Sequence, residues 1–133
     1  MKLTILDPGH FHAALVQKSM YANVDDVVAV YAPAGPDLDD YLRKIESYNA
    51  RAVDPTRWRT DAHTGPDFLE RFAADRRGGV GVIAGSNARK TEYLTRAVTA
   101  GYHTLADKPM AIDAAGFAAL EAAFALARER GVL

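Results

Sequence analysis

Short apolar runs alternate with stretches of helical periodicity along this chain, and that alternation constrains the fold more than any other feature. Leu3-Thr4-Ile5-Leu6 is a compact apolar run closed by Asp7-Pro8-Gly9, so it reads as a buried strand ending in a turn. A helix is expected next, from Phe11 to Tyr21. Val27-Val28-Ala29-Val30-Tyr31 is apolar on both faces, as a strand covered by helices on both sides must be. Pro36 can open the following helix at its first position, where a missing N–H costs nothing. Leu38, Tyr41, Leu42, Ile45 and Tyr48 then share one helical stripe.

The stretch from Asn49 to Thr60 is less regular and is expected to hold a short third strand near Trp58. Pro66 opens another helix with Phe68, Leu69 and Phe72 inward, closed by Gly78-Gly79. Val80-Gly81-Val82-Ile83-Ala84 is the clearest strand. Asn87 is then expected to cap a helix carrying Tyr93, Leu94, Ala97 and Val98, stopped by Gly101. His103-Thr104-Leu105-Ala106 is a short strand ending at Asp107-Lys108-Pro109. Asp113 is expected to cap an Ala-rich helix that buries Phe117, Leu120, Phe124 and Ala127.

Strict alternation of this kind implies parallel strands joined by right-handed crossovers. The expected fold is α/β: a doubly wound parallel sheet of Rossmann type in three layers, α/β/α, forming one domain over residues 1–133. In open sheets of this kind ligands bind beyond the carboxyl ends of the strands. Those ends carry Asp7-Pro8-Gly9-His10, Tyr31-Ala32-Pro33, Gly85-Ser86-Asn87 and Asp107-Lys108-Pro109.

Composition narrows the function classes. The net charge of −1 over 133 residues gives no general attraction to nucleic acid or to an anionic membrane. The absence of cysteine excludes disulfides, thiolate zinc sites and cysteine nucleophiles, and is compatible with a reducing cytoplasm. Met1-Lys2 leads into an apolar run that Asp7-Pro8 interrupts, so neither a signal peptide nor a membrane span is expected. Val132-Leu133 reads as the opening of one more strand, which suggests a chain cut short.

Four segments can carry chemistry. The first strand–helix turn is where a dinucleotide fold places G-x-G-x-x-G, so that backbone can approach pyrophosphate. Here the stretch is Asp7-Pro8-Gly9-His10-Phe11-His12, with Gly9 alone retained. A helix start can still attract phosphate through free N–H groups, and His10 or His12 could add a donor; a tight structural turn is the competing reading. His10-x-His12 also resembles a metal pair, but His63 and His103 lie at no recognisable ligand spacing, so no metal is expected. Phe11 stands where a nucleotidylyltransferase H-x-G-H motif needs glycine. The second strand ends in Ala32 with no carboxylate for the ribose, which leaves NAD and NADP both open; Asp37 is assigned to the start of its helix. Ser86 and Asn87 could touch the nicotinamide side or merely cap a helix. Lys108, held by Pro109, could bind substrate hydroxyls or move a proton, with Asp107 as its ion partner, or could be a solvated loop lysine. Lys90 is expected at the surface. Trp58 is expected to anchor its loop on the core.

Taken together these segments resemble the glucose–fructose oxidoreductase / inositol dehydrogenase (Gfo/Idh/MocA) family, and a divergent oxidoreductase branch of it. Gly81-Val82-Ile83-Ala84-Gly85-Ser86-Asn87 is similar to the family strand ending in T-P-N. The run from Ala97 to Met110 is similar to A-L-x-A-G-K-H-V-x-x-E-K-P-L, with Asp107-Lys108-Pro109 as E-K-P. The resemblance implies an oxidoreductase using NAD or NADP on a sugar, polyol or related hydroxy compound. It places Lys108 at the nicotinamide–substrate junction as the catalytic residue. Pro8, Gly9, His10, Phe11, His12, Ala32, Ser86, Asn87, Asp107 and Pro109 would line the cofactor. It also implies a further C-terminal α/β domain and a possible homo-oligomer. Lys90 departs from a frequent family histidine. The alternative is a non-catalytic Rossmann module that binds a nucleotide or a partner.

Overall fold

The computed structural model describes residues 1–133. Five strands form one parallel sheet: β1 (Leu3–Leu6), β2 (Val27–Ala32), β3 (Arg59–Thr64), β4 (Val80–Ile83) and β5 (His103–Ala106). Their spatial order is β3-β2-β1-β4-β5, the doubly wound Rossmann order, with the direction of winding reversing between β1 and β4. Register is continuous at that junction, with Leu3 beside Val80 and Leu6 beside Ile83.

Helices α1 (His12–Leu15) and α2 (Pro36–Ala50) cover one face; α3 (Phe68–Asp75) and α4 (Lys90–Thr99) cover the other. The strands alternate between the two cores. Leu3, Ile5, Val28 and Val30 join Leu38, Tyr41 and Ile45 of α2. Leu6, Ala29, Tyr31 and Ile83 join Phe68, Phe72, Leu94 and Ala97 on the far side. Each fully buried Ile, Val or Leu contributes about 1.5–3 kcal/mol, so the unbroken apolar runs of β1 and β2 are the main source of cohesion. No helix is long and apolar enough to cross a membrane.

Three local expectations change. The first helix is one turn long, because tertiary contacts capture its continuation. The Trp58 Nε1–H donates to the Gln17 carbonyl at 2.7 Å, and the Tyr41 hydroxyl donates to the Gln17 side chain. The third strand begins just after Trp58, which is 3% exposed and anchors the loop as expected. Asn49 braces that loop by accepting from Trp58 N at 3.0 Å and donating to Trp58 O at 2.9 Å. Asn87 does not cap α4: the helix starts at Lys90, with Arg89 before it and no side-chain cap. Asp113 does cap α5 (Ala114–Arg130), accepting from Gly116 N at 2.7 Å.

The third change concerns Phe117 and Phe124, which are not core but 57% and 51% exposed. Helix α5 packs on α4 and does not lie flat on the sheet. Its buried face is therefore Leu120, Ala123 and Ala127, whose small alanines allow close approach. Phe124 and Leu120 instead border an apolar groove shared with Leu105, Met110 and Leu133. Beside it, the Leu133 carbonyl accepts from Thr104 N at 2.7 Å on the free edge of β5.

Candidate functional site

The carboxyl ends of β1, β4 and β5 lie side by side, and three turns leave them together. The β1 turn is tight. Asp7 takes a positive φ of 49°, and the Gly9 N–H returns to the Asp7 carbonyl at 2.8 Å. The Tyr93 hydroxyl donates to Asp7 Oδ2 at 2.8 Å and pins the turn from α4. Burial and the Asp7 carboxylate push that tyrosine hydroxyl up, so it stays a donor. Gly85 of the β4 turn touches this segment so closely that a Cβ there would lie 2.1 Å from the Asp7 carbonyl oxygen. No residue but glycine fits. Gly9 differs: an added Cβ would meet Asp37 Oδ2 at 3.4 Å and Gly85 Cα at 3.5 Å, ordinary contact distances.

After Gly9, the N–H groups of His10, Phe11 and His12 donate to no backbone acceptor, whereas Ala13 N and Ala14 N already return to His10 O and Phe11 O. Pro8, Gly9, His10 and Phe11 border a small cavity of about 30 Å³ with Asp37 and Tyr41 of α2. Asp37 thus stands at the turn as well as in the first turn of its helix. Asp37 and Asp40 both border this cavity, whereas β2, ending in Ala32, offers no carboxylate.

The β5 turn contributes Asp107. Its Oδ2 lies 3.2 Å from His12 Nδ1 and 3.4 Å from His10 Nδ1. Its Oδ1 accepts from the Lys90 ammonium. Lys90, expected at the surface, is the fully buried member of this group at 0% exposure. It is Lys90, and not Lys108, that pairs with Asp107. A buried ammonium needs a partner, because desolvating an unpaired charge is costly. Burial works to raise the Asp107 carboxyl, but hydrogen bonds from Lys90 and His12 and the nearby Lys90 and His10 charges outweigh it. The carboxyl is held below the usual carboxylate range.

The structure therefore gathers Pro8, Gly9, His10, Phe11, His12 and Asp107 on the adjoining β1 and β5 turns, at the crevice where the winding of the sheet reverses. Ser86 and Asn87 are exposed on the adjoining β4 turn. Ala32 is buried at the end of β2, beside Thr64. Lys108 and Pro109 are exposed beyond Asp107 and touch none of these groups through an ion pair. Sequence reasoning missed Lys90 and the second role of Asp37. One signal could have found Lys90: it lies four and seven positions before Leu94 and Ala97, on the buried stripe of α4.

No protein-family model matches the chain, and no curated protein matches it. Among solved structures it is similar to a chain from Parabacteroides merdae ATCC 43184 described as a "putative oxidoreductase". The two share 48% identity and a TM-score of 0.96, over 98% of this chain and 30% of the other. The chain thus spans less than a third of that structure's length. The shared fold is the Rossmann-like α/β domain.

Proposed function

We propose that the chain is the dinucleotide-binding domain of an NAD- or NADP-dependent oxidoreductase acting on a sugar, polyol or related hydroxy compound. One observation carries this reading: at the β1–β4 reversal, Gly9 and Gly85 bring two side-chain-free turns into contact. Beside them, three successive N–H groups have no internal acceptor. That is the arrangement by which backbone approaches a pyrophosphate. The 48% identity to a structure described as an oxidoreductase supports it, as does the resemblance of the Asp107-Lys108-Pro109 region to the glucose–fructose oxidoreductase / inositol dehydrogenase family.

In this reading Gly9, His10, Phe11 and His12 face the pyrophosphate, Asp37 offers its carboxylate to the adenosine ribose, and Ser86 and Asn87 border the nicotinamide side. The bound nicotinamide would supply hydride acceptance or donation. Lys108, exposed at the end of β5, holds the substrate oxygen and moves its proton, as a lysine at a cleft edge can.

Calorimetry with NAD, NADP and adenine mononucleotides tests the reading. A redox dinucleotide should bind. Gly9→Ala should weaken that binding without loss of fold, because the added Cβ meets the protein only at ordinary contact distances, 3.4 Å from Asp37 Oδ2 and 3.5 Å from Gly85 Cα. In the full-length enzyme Lys108→Ala should leave dinucleotide binding intact and remove hydride transfer to polyol substrates. Binding of a non-redox nucleotide alone, or of none, would overturn the proposal in favour of a non-catalytic module.

A further inference from the structure

We infer that His10, His12 and Asp107 form a site for one divalent transition-metal ion of the zinc and cobalt class, with coordination positions open toward the crevice. This goes beyond the dinucleotide reading and does not depend on it. The sequence offers only the pair His10-x-His12, two ligands without a third. The fold supplies the third from the end of β5.

The geometry fits an ion. The donor atoms of all three residues lie within 4.8 Å of one another. His10 Nδ1 and His12 Nδ1 are 3.4 Å and 3.2 Å from the same oxygen of Asp107. A tetrahedral ion with bonds of about 2.0–2.1 Å spaces its ligands about 3.3 Å apart. The rings are also held. Phe11 packs against both histidines, with ring centroids 4.5 Å from His10 and 4.4 Å from His12, and the two imidazoles meet edge to face at 4.3 Å. Lys90 fixes the far oxygen of Asp107 from a fully buried position, leaving Oδ2 aimed at the histidines. Such outer partners orient ligands in metal sites.

Two histidines and one carboxylate leave positions free, as in sites where the ion also takes water or a substrate oxygen. The histidine side chains are 47% and 38% exposed, so that open side faces solvent. Lys90 also sets an upper limit. Its charge offsets that of Asp107, so the ion is held less tightly than in a closed structural site.

Titration of the metal-free, untagged chain with Co²⁺ at neutral pH tests the site. Visible d–d absorption should appear, saturate at one ion per chain and vanish on adding Zn²⁺. His10→Ala and His12→Ala should each weaken binding by at least about a hundredfold, the upper end of what loss of an outer partner costs. His10 lies on an exposed turn and His12 is half-buried at the start of α1, and circular dichroism should show an unchanged fold. Absence of a saturable spectrum, or undiminished binding by the double variant His10→Ala/His12→Ala, would overturn the inference. Dinucleotide calorimetry reads the other proposal separately, so the two can fail independently.

Discussion

Two polar clusters of similar composition sit in this domain, and only one of them is open. Where α3 meets β2 and β3 the Tyr31 hydroxyl donates to Asp75 at 2.6 Å and accepts from Arg77 Nε at 3.1 Å. Arg77 also reaches Asp61 at 3.1 Å and His63 at 2.9 Å, and His63 stacks on Tyr31 with centroids 4.8 Å apart. Each group answers another, and together they tie the end of α3 to β2 and β3. The Lys90–Asp107 cluster likewise ties α4 to β5, but it leaves two half-exposed imidazoles facing outward. Both use carboxylate, histidine and a long cation. What differs is location. The second cluster stands beyond the strand carboxyl ends, where no helix closes over it and backbone N–H groups are free. A closed network of this kind serves cohesion, and an open one can serve a ligand.

That contrast can be broken most severely at Asp107. Asp107→Ala leaves the Lys90 ammonium buried without its partner, and urea unfolding should show a loss of about 3 kcal/mol. The double variant Lys90→Met/Asp107→Leu should recover most of it, because the desolvation cost disappears along with the pair. Full loss in the double variant would mean that the pair stabilises in its own right.

Tyr31→Phe should cost less, about 1–2 kcal/mol, by removing one hydroxyl that serves Asp75 and Arg77. It should leave nucleotide and Co²⁺ binding unchanged, since this network makes no hydrogen bond or ion pair with His10, His12 or Asp107. A drop in either affinity would show that the two clusters are coupled.

The smallest effect is the pH dependence. The Tyr31 hydroxyl holds Asp75 below the usual carboxylate range, and the Asp107 carboxyl is depressed as described. The folded state therefore resists protonation more than the unfolded chain does. The stability these groups contribute is complete above the usual carboxylate range and is lost as pH falls through it toward their lowered values. Urea midpoints measured from neutral to acid pH should fall along that limb. Tyr31→Phe should flatten the part due to Asp75; an unchanged slope would remove Asp75 from the account.

Much of this was legible in the sequence. β1, β2 and β4 are apolar on both faces and announce a covered parallel sheet, and Asp113 announces its helix start. β3 was nearly invisible because Arg59, Asp61 and His63 on an edge strand have no apolar period to show. α1 was overestimated because Trp58, 41 residues on, takes the Gln17 carbonyl. Phe117 and Phe124 looked like core because helical spacing does not reveal what a helix packs against.

In the site, the sequence by itself determined the four turn clusters, the lone Gly9 and the Asp107-Lys108-Pro109 end of β5. These follow from local chemistry: turn residues, strand length and alternation. Only the tertiary structure decided that Lys90 is buried, that Asp107 belongs to Lys90, His10 and His12 in place of Lys108, and that Gly85 must be bare. Those facts depend on contacts between segments up to 97 residues apart. Parallel crossovers bring such segments together only once the sheet has chosen its order, and no local pattern records that choice.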